Sequence, residues 1–172
     1  EVAWRVHSTI DGKYIGLDFD DTLGEQTGVP IHTRQRTSSQ GLRIGSDAYY
    51  SAGSTGVMFH MNRESLDDRT FGDRERDTLA MNARSELALF DDTLWVTGIL
   101  RYDDISDAGD QWSPKLGLRW FITDRLSLKA NAGLGFRAPS FNELFMEAGY
   151  IVGNPDLLPE DAASYDVGIS YD

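Results

Sequence analysis

Apolar and polar residues alternate one by one along most of the chain. The clearest run lies between Leu126 and Arg137, where leucine, alanine and phenylalanine occupy every second position and mostly polar residues or glycine lie between them. Successive side chains of a strand point to opposite faces, so this run predicts a strand with one apolar and one polar face. Alternation resumes at Ala163 and continues to Tyr171, which predicts a second such strand.

The same alternation predicts nine strands, joined by connections that alternate in length. Short connections are predicted at 11–12, 51–54, 91–93 and 123–125, and long ones at 18–33, 64–77, 103–111 and 138–161. Short turns on one side and long loops on the other are typical of an up-and-down outer-membrane barrel. A β-sandwich also alternates its side chains, but its Greek-key crossings do not make every second connection short. We therefore predict an all-β fold, an incomplete portion of an antiparallel transmembrane β-barrel.

The content of the two faces predicts which of them contacts lipid. An arginine or lysine at the bilayer midplane costs about 2–4 kcal/mol, so the polar face must line the interior of the barrel. We expect Val96, Leu100, Leu116, Leu118, Leu128, Ala130 and Leu134 to point outward, and Arg84, Arg101, Arg119, Lys129 and Asn131 to point inward. Aromatic residues near strand ends fit girdles at the two membrane interfaces, although strands favour aromatic residues in any setting.

The charges are unevenly placed. The formal net charge is -12, and the four long connections hold 19 of the 28 acidic residues but only 3 of the 16 basic ones. A mean hydropathy of -0.39 and the lack of any apolar stretch near 20 residues exclude a helical membrane protein, but not a barrel with a polar interior. Without cysteine, the chain can form no disulfide or thiolate metal site.

Two sequence blocks flank the last long connection. The first runs from Gly135 to Phe145 and reads GFRAPSFNELF, and the second runs from Gly153 to Leu157 and reads GNPDL, followed by Pro159 and Glu160. In order, spacing and flanking strands, the pair resembles a mid-barrel segment of TonB-dependent outer-membrane receptors. Upstream of Trp112 the pattern is compatible but carries no motif.

The resemblance implies a larger assembly. Receptors of this family are barrels of about 22 strands that hold a plug, and they take up iron chelates, haem or cobalamin with energy from an inner-membrane complex. An open sheet leaves two edges unpaired, which hydrocarbon does not tolerate. We therefore expect residues 1–172 to form one partial barrel domain, with strands missing on both sides and the plug absent from this chain.

The connection at 138–161 is the predicted ligand site. Aromatic and methionine side chains offer contact area, while amides and carboxylates offer directional hydrogen bonds. The candidate ligand-binding residues are Arg137, Phe141, Asn142, Glu143, Tyr150, Asn154 and Asp156. A structural role is the alternative, in which Pro139 and Pro155 fix the exits of the loop and its asparagines cap turns.

The choice of ligand follows from the same segment. In haem-transporting members of the resembling family, similar blocks bracket a histidine, whereas Ser140 to Gly153 contains none. Tyr150 is a possible phenolate ligand, but a loop tyrosine more often packs or stacks. We therefore expect a ferric siderophore or a cobalamin-like chelate. The expected partners are this ligand, the TonB complex of the inner membrane reached through the plug, and outer-membrane lipid, with no nucleic acid.

Catalytic and metal chemistry find no support in the sequence. The three histidines lack ligand or catalytic spacing, and no Gly-x-Ser-x-Gly motif is present, so we expect neither an enzyme nor a cofactor. The acidic clusters at 18–21 and 103–110 lack the spacing of a calcium loop and are expected to be solvated, with weak divalent binding as the alternative. A passive porin, a structural outer-membrane barrel and a soluble β-sheet binding module remain open as alternative functions.

Overall fold

The computed structural model describes residues 2–21, 31–68, 72–148 and 151–171. Its elements are β1 Ala3–Asp21, β2 Ile31–Tyr50, β3 Gly53–Asp68, β4 Arg74–Leu89, β5 Leu94–Ile105, β6 Gly109–Phe121, β7 Leu126–Arg137, α1 Phe141–Phe145, β8 Glu147–Ala148, β9 Ile151–Val152 and β10 Glu160–Tyr171.

Eight strands form one antiparallel sheet in the order β1-β2-β3-β4-β5-β6-β7-β10. Every strand pairs with its neighbour in the chain, except that β7 pairs with β10 across a long insertion. That insertion contains α1 and the small hairpin of β8 and β9. The prediction of an all-β, up-and-down antiparallel sheet is confirmed. No helix among the described residues is long and apolar enough to span a membrane.

The predicted hairpin at Asp11 and Gly12 is wrong. Strand β1 runs straight through these residues and pairs with β2 without a break, so the main sheet has eight strands where nine were predicted. Asp11 lies opposite Gly41, and its carboxylate forms an ion pair with Arg43 at 3.1 Å. The backbone ladder with β2 and this ion pair outweigh a local turn signal. Without a turn, Ile15 shares the face of Asp11 and not the apolar face.

Two of the predicted long loops are mostly strand. Strand β3 extends to Asp68 and β4 begins at Arg74, while residues 106–108 alone separate β5 from β6. Charged residues continue the strands because backbone pairing does not require apolar side chains. Arg63 and Asp77, for example, are paired between β3 and β4, and Arg63 Nε lies 2.7 Å from Asp77 Oδ1. The connection at 138–161 is confirmed as long. The prediction for 18–33 falls largely outside the described residues.

The two faces of the sheet separate as predicted. Leu118 lies opposite both Val96 and Ala130, whereas Arg119 lies opposite Lys129. The apolar face is exposed, and Leu116 retains 51% of its accessible surface. The polar face instead contains buried groups, including Asp47 at 7% and Asp103 at 2% exposure. This inverted distribution is that of a barrel wall with lipid outside.

Ion pairs and glycines fill the polar face. Asp47 accepts a hydrogen bond from Arg84 at 3.0 Å and lies 3.7 Å from Nδ1 of His7. A Cβ atom on Gly56 would lie 2.1 Å from the Asp47 carboxylate, so the close approach of this side chain requires glycine there. Small residues thus make room for charge on the concave side of the sheet.

The aromatic residues near the strand ends are divided between the two faces of the sheet. Tyr102 and Trp112 lie opposite each other on the apolar face, with ring centroids 4.8 Å apart. Trp120 also lies on this face, opposite Leu128, near the end with the short turns. Trp95 and Phe121, however, lie on the polar face, because each is one residue away from a position on the apolar face, Val96 and Trp120 respectively. Trp95 is paired with Arg119, and Phe121 is paired with Ser127.

An arginine at Val96 tests the assignment of the faces. In the complete barrel, Val96→Arg places a charge in the lipid-facing band, two residues from the start of β5. The cost of an arginine falls from about 2–4 kcal/mol at the midplane to about 0–1 kcal/mol at the interfaces, so we expect a loss of about 1–2 kcal/mol of folding free energy in lipid vesicles. The neighbouring Thr97→Arg is the matched control, since Thr97 points inward and its Oγ1 lies 3.4 Å from Glu86 Oε2. Urea titrations followed by heat-modifiable gel mobility measure both. Equal losses would mean that neither face contacts lipid.

Candidate functional site: the long loop on the polar face

The long loop, residues 138–159, begins with a capped turn of helix. Ser140 precedes α1, its Oγ accepts a hydrogen bond from the Glu143 amide at 3.3 Å, and its own amide donates to Glu143 Oε2 at 2.8 Å. This reciprocal pair is a capping box. Five residues are too few for a stable isolated helix, so packing must hold it. Phe141 and Leu144 supply this packing, with 9% and 2% exposure.

The second sequence block binds the first. The Gly153 amide donates to the Met146 carbonyl at 2.6 Å, and the Asn154 amide donates to the Glu143 carbonyl at 2.9 Å. A Cβ atom on Gly153 would lie 2.7 Å from the carbonyl carbon of Leu144, so only glycine fits against this backbone. The two blocks that stand apart in the sequence are therefore one folded unit.

Arg137 fastens this unit to the sheet. Its guanidinium donates to both carboxylate oxygens of Glu143, at 2.9 and 2.8 Å, and to Glu160 at 2.8 and 3.2 Å. Arg137 ends β7 and Glu160 begins β10, and the two residues are paired in the sheet. The hydrogen bonds from Arg137, followed by those from Ser140, lower the pKa of Glu143 to about 2.

Arg76 anchors the loop from three strands away. Arg76 lies on β4, and its guanidinium donates to both carboxylate oxygens of Asp107, at 2.6 and 2.7 Å. The same guanidinium donates to the carbonyl of Pro139 at 2.7 Å. Its guanidinium lies 4.9 Å from the centroid of the Phe141 ring. Because β5 and β6 separate β4 from β7, the loop must reach back across the polar face. Arg76 thus holds the first residues of the loop, while Arg137 holds Glu143 and Glu160.

The predicted site residues have different positions in this unit. Arg137 and Glu143 are bound to each other, and Phe141 is buried against Arg76. Asn142 and Asp156 are exposed, and the Asp156 amide donates to Asn154 Oδ1 at 3.0 Å, which forms the turn of the second block. Tyr150 lies outside the described residues.

Sequence reasoning missed Arg76, Arg74, Asp107 and Ser140. Arg74 lies 4.5 Å from the Phe145 ring centroid, and it is far from the loop in sequence, as are Arg76 and Asp107. No local sequence pattern indicates a contact between residues that are so far apart in the chain. The Ser140 and Glu143 spacing of a capping box was the one available signal.

The cluster at 103–110 differs from its prediction. Asp103 is bound by Arg101 at 2.7 Å and Asp107 by Arg76, so two of its four acids are ion-paired. Of these two, Asp103 is buried, whereas Asp107 is exposed. Among the described residues, no group of three or more histidines, aspartates or glutamates is placed to hold a metal ion.

A sheet with an exposed apolar face, a charged inner face and a long loop folded inward defines a barrel wall of the outer-membrane type. The family model for the β-barrel of TonB-dependent receptor-like proteins matches residues 4–172. The chain therefore belongs to the TonB-dependent receptors and forms part of their barrel, as the sequence blocks predicted.

Relatives with curated names support this assignment. The chain is 34% identical to the vitamin B12 transporter BtuB of Vibrio vulnificus strain CMCP6 over 138 residues, which cover 76% of this chain and 20% of that protein. It is 29% identical to the ferric enterobactin receptor of Pseudomonas aeruginosa over 104 residues, covering 52% of this chain and 14% of that one. The chain thus spans a fifth or less of the length of these two relatives.

Solved structures show the same fold. A mutant (G324V) of the ferric enterobactin receptor PfeA from Pseudomonas aeruginosa matches with a TM-score of 0.76 at 16% identity, over 99% of this chain and 30% of that one. The siderophore receptor PirA from the same species matches with a TM-score of 0.70 at 20% identity, over 97% of this chain and 36% of that one. The family consists of receptors and transporters, not enzymes.

An added methyl group tests the packing of the two blocks. Gly153→Ala forces a Cβ atom against the backbone of α1, and we expect it to destabilise the long loop by about 1–3 kcal/mol. Limited proteolysis of the complete receptor should then cut within 138–159 faster than in the wild type. Gly135→Ala is the matched control, because a Cβ atom there meets nothing within 4 Å. Equal cutting rates in the two variants would contradict the packing.

The Arg137 clamp predicts a pH dependence. A carboxylate whose folded pKa is lowered stabilises the fold above its ordinary pKa and loses this effect as the pH falls through the folded value. Protease protection of the long loop should therefore decline as the pH falls from 4.5, the ordinary pKa of a glutamate, to about 2, the pKa of Glu143 in the folded protein. Carbon-13 NMR of the Glu143 carboxyl should show the low midpoint, and Arg137→Gln should raise it. A midpoint that Arg137→Gln leaves unchanged would contradict the clamp.

Proposed function

We propose that the chain forms part of the wall and a ligand-binding loop of an active-transport receptor, a multi-pass barrel in a Gram-negative type of outer membrane. The observation that carries the proposal is the long loop, folded inward over the polar face and fixed by Arg76 and Arg137. An ordered loop inside the mouth of a barrel is suited to bind a solute that enters from outside, because its surface is already in place.

The ligand class rests on the relatives and on the loop. The printed names of the relatives include a vitamin B12 transporter and a ferric enterobactin receptor. For this chain we propose a scarce chelate of the same kind, a ferric siderophore or a cobalamin-like compound. Energy would come from the TonB complex of the inner membrane through a plug contributed by another part of the receptor, while the apolar face contacts outer-membrane lipid. Family membership favours this receptor over a passive porin or a soluble binding module.

The candidate residues divide into braces and contacts. Arg137, Phe141 and Glu143 hold the loop, so their replacement would act on ligand binding through loop order. Asn142 and Asp156 are exposed on the folded unit, and they are the proposed direct contacts. Tyr150 and Asn154 complete the proposed site.

Two variants of the complete receptor test the proposal. The double variant Asn142→Ala and Asp156→Ala leaves the hydrogen bonds of Arg76 and Arg137 in place, and we expect it to weaken ligand binding roughly tenfold, about 1.4 kcal/mol, with normal insertion of the barrel. Deletion of residues 141–153 should abolish binding while the barrel still inserts. Vitamin B12 and ferric enterobactin serve as the two probes in equilibrium binding to outer-membrane vesicles.

The controls separate binding from folding. Glu160→Asp keeps a carboxylate opposite Arg137 and should bind ligand as the wild type does. A deletion variant that inserts and binds normally would contradict the assignment of the site to this loop. A deletion variant that fails to insert would make the loop a structural brace, and the double variant would then decide whether it also contacts ligand.

A further inference from the structure

One end of the sheet is rich in carboxylates. The connections from β1 to β2, β3 to β4, β5 to β6 and β7 to β10 all lie at this end, which we call the acidic end. The sequence segments around these connections hold 19 of the 28 acidic residues and 3 of the 16 basic ones: 18–33, 64–77, 103–111 and 138–161. A solute that approaches the long loop from outside therefore meets a negative field.

The long loop itself contains no positive charge. Residues 138–159 include no lysine, arginine or histidine. The Asn142 amide and the Asp156 carboxylate are exposed on the folded unit, and Val152 and Leu158 are 75% and 81% exposed. The loop thus offers a carboxylate, amides and apolar groups to a ligand, but no cation.

Arg74, Arg76 and Arg137 contact the long loop, and each is already engaged. Arg76 and Arg137 are bound by carboxylates. Arg74 is half-buried, with its guanidinium 4.5 Å from the Phe145 ring centroid, and it donates to the Asp73 carbonyl at 3.2 Å. A guanidinium whose donors are filled by a carboxylate has little capacity left for an anionic ligand. These arginines hold the loop in place and leave no open anion site on it.

Other cations of the polar face lie further from the loop. Lys115 is paired with Gly133 on β7, four residues from Arg137 at the base of the loop, which is ~13 Å along the strand. Lys129 is eight residues from Arg137 on the same strand, ~26 Å away. The surface beside the loop is therefore dominated by carboxylates.

The chelates named in the proposed function differ in charge. Iron(III) held by three catecholates is a polyanion, because each catecholate brings a double negative charge. Proteins bind such anions with arginine and lysine, and a surface of like charge disfavours them. Vitamin B12 is uncharged, and so is iron(III) held by three hydroxamates in a peptide such as ferrichrome. Both of these chelates present amide groups and aliphatic carbon.

We propose that the long loop binds an uncharged, amide-bearing chelate and disfavours a polyanionic one. The Asp156 carboxylate accepts from amide N–H groups of the chelate, and the Asn142 amide donates to its carbonyl groups. Val152 and Leu158 contact its aliphatic parts. The inference rests on the proposed function and narrows its ligand class.

Equilibrium binding to the complete receptor, purified in a non-ionic detergent, tests the inference. The three probes are vitamin B12, ferrichrome and ferric enterobactin, an iron(III) tris-catecholate. We expect at least one uncharged probe to bind roughly tenfold tighter than ferric enterobactin, or more. Between about 0.01 and about 1 M salt the screening length falls from about 30 to about 3 Å. Ferric enterobactin should therefore bind several-fold more tightly at high salt, whereas the affinity of the uncharged probe should change less than about twofold.

Two substitutions of equal size test the exposed residues of the loop. Asp156→Asn removes a negative charge, and it should raise the ratio of ferric enterobactin affinity to uncharged-probe affinity roughly threefold. Asn142→Asp adds a negative charge and should lower this ratio by a similar factor. Asp124→Asn is the matched control, because it makes the same charge change in the short turn between β6 and β7, at the other end of the sheet. The control should leave the ratio unchanged.

Three outcomes would overturn the inference: tightest binding of ferric enterobactin, a ferric enterobactin affinity that falls as salt is added, and a ratio that neither loop substitution changes. Each of them leaves the proposed function standing, because a chelate is still bound. Binding of none of the three probes would instead contradict the proposed function, and the inference with it. Heat-modifiable gel mobility must match among the variants, so that a folding defect is excluded.

Discussion

The backbone ladder between neighbouring strands decides the chemistry of both faces. Because side chains alternate along a strand, a single register from β1 to β10 places most apolar side chains on one side of the sheet and most charged ones on the other. A slip of one residue would exchange the two faces of a strand. Strand β1 shows the strength of this constraint, since its pairing with β2 continues through Asp11 and Gly12 despite their local preference for a turn.

The polar face is organised by compensation of charge. Asp47 and Asp103 are shielded from water, and each is bound by an arginine, because a buried carboxylate without a partner is unfavourable. Glycines such as Gly56 allow these side chains to lie flat on the sheet.

The long loop combines local and distant contacts. Its own two blocks hold each other through the bonds of Gly153 and Asn154. The loop is then fixed to the sheet by Arg137 at its base and by Arg76 at Pro139, near its start. Ion pairs hold both fixed points, which agrees with a loop that sits over a polar face. Under the proposed function, such a loop would present Asn142 and Asp156 to a ligand without rearranging.

The sequence by itself determined the class of fold, the two faces and the long connection after β7, because alternation with period two and paired motifs are local signals. It did not determine the length of β1 or the ends of β3 and β5, since ladder pairing can override a turn signal and continue through charged residues. The contacts of Arg76 with Asp107 and Pro139 were decided by tertiary structure alone. They join residues that are far apart in the chain, and only the curvature and order of the strands bring them together.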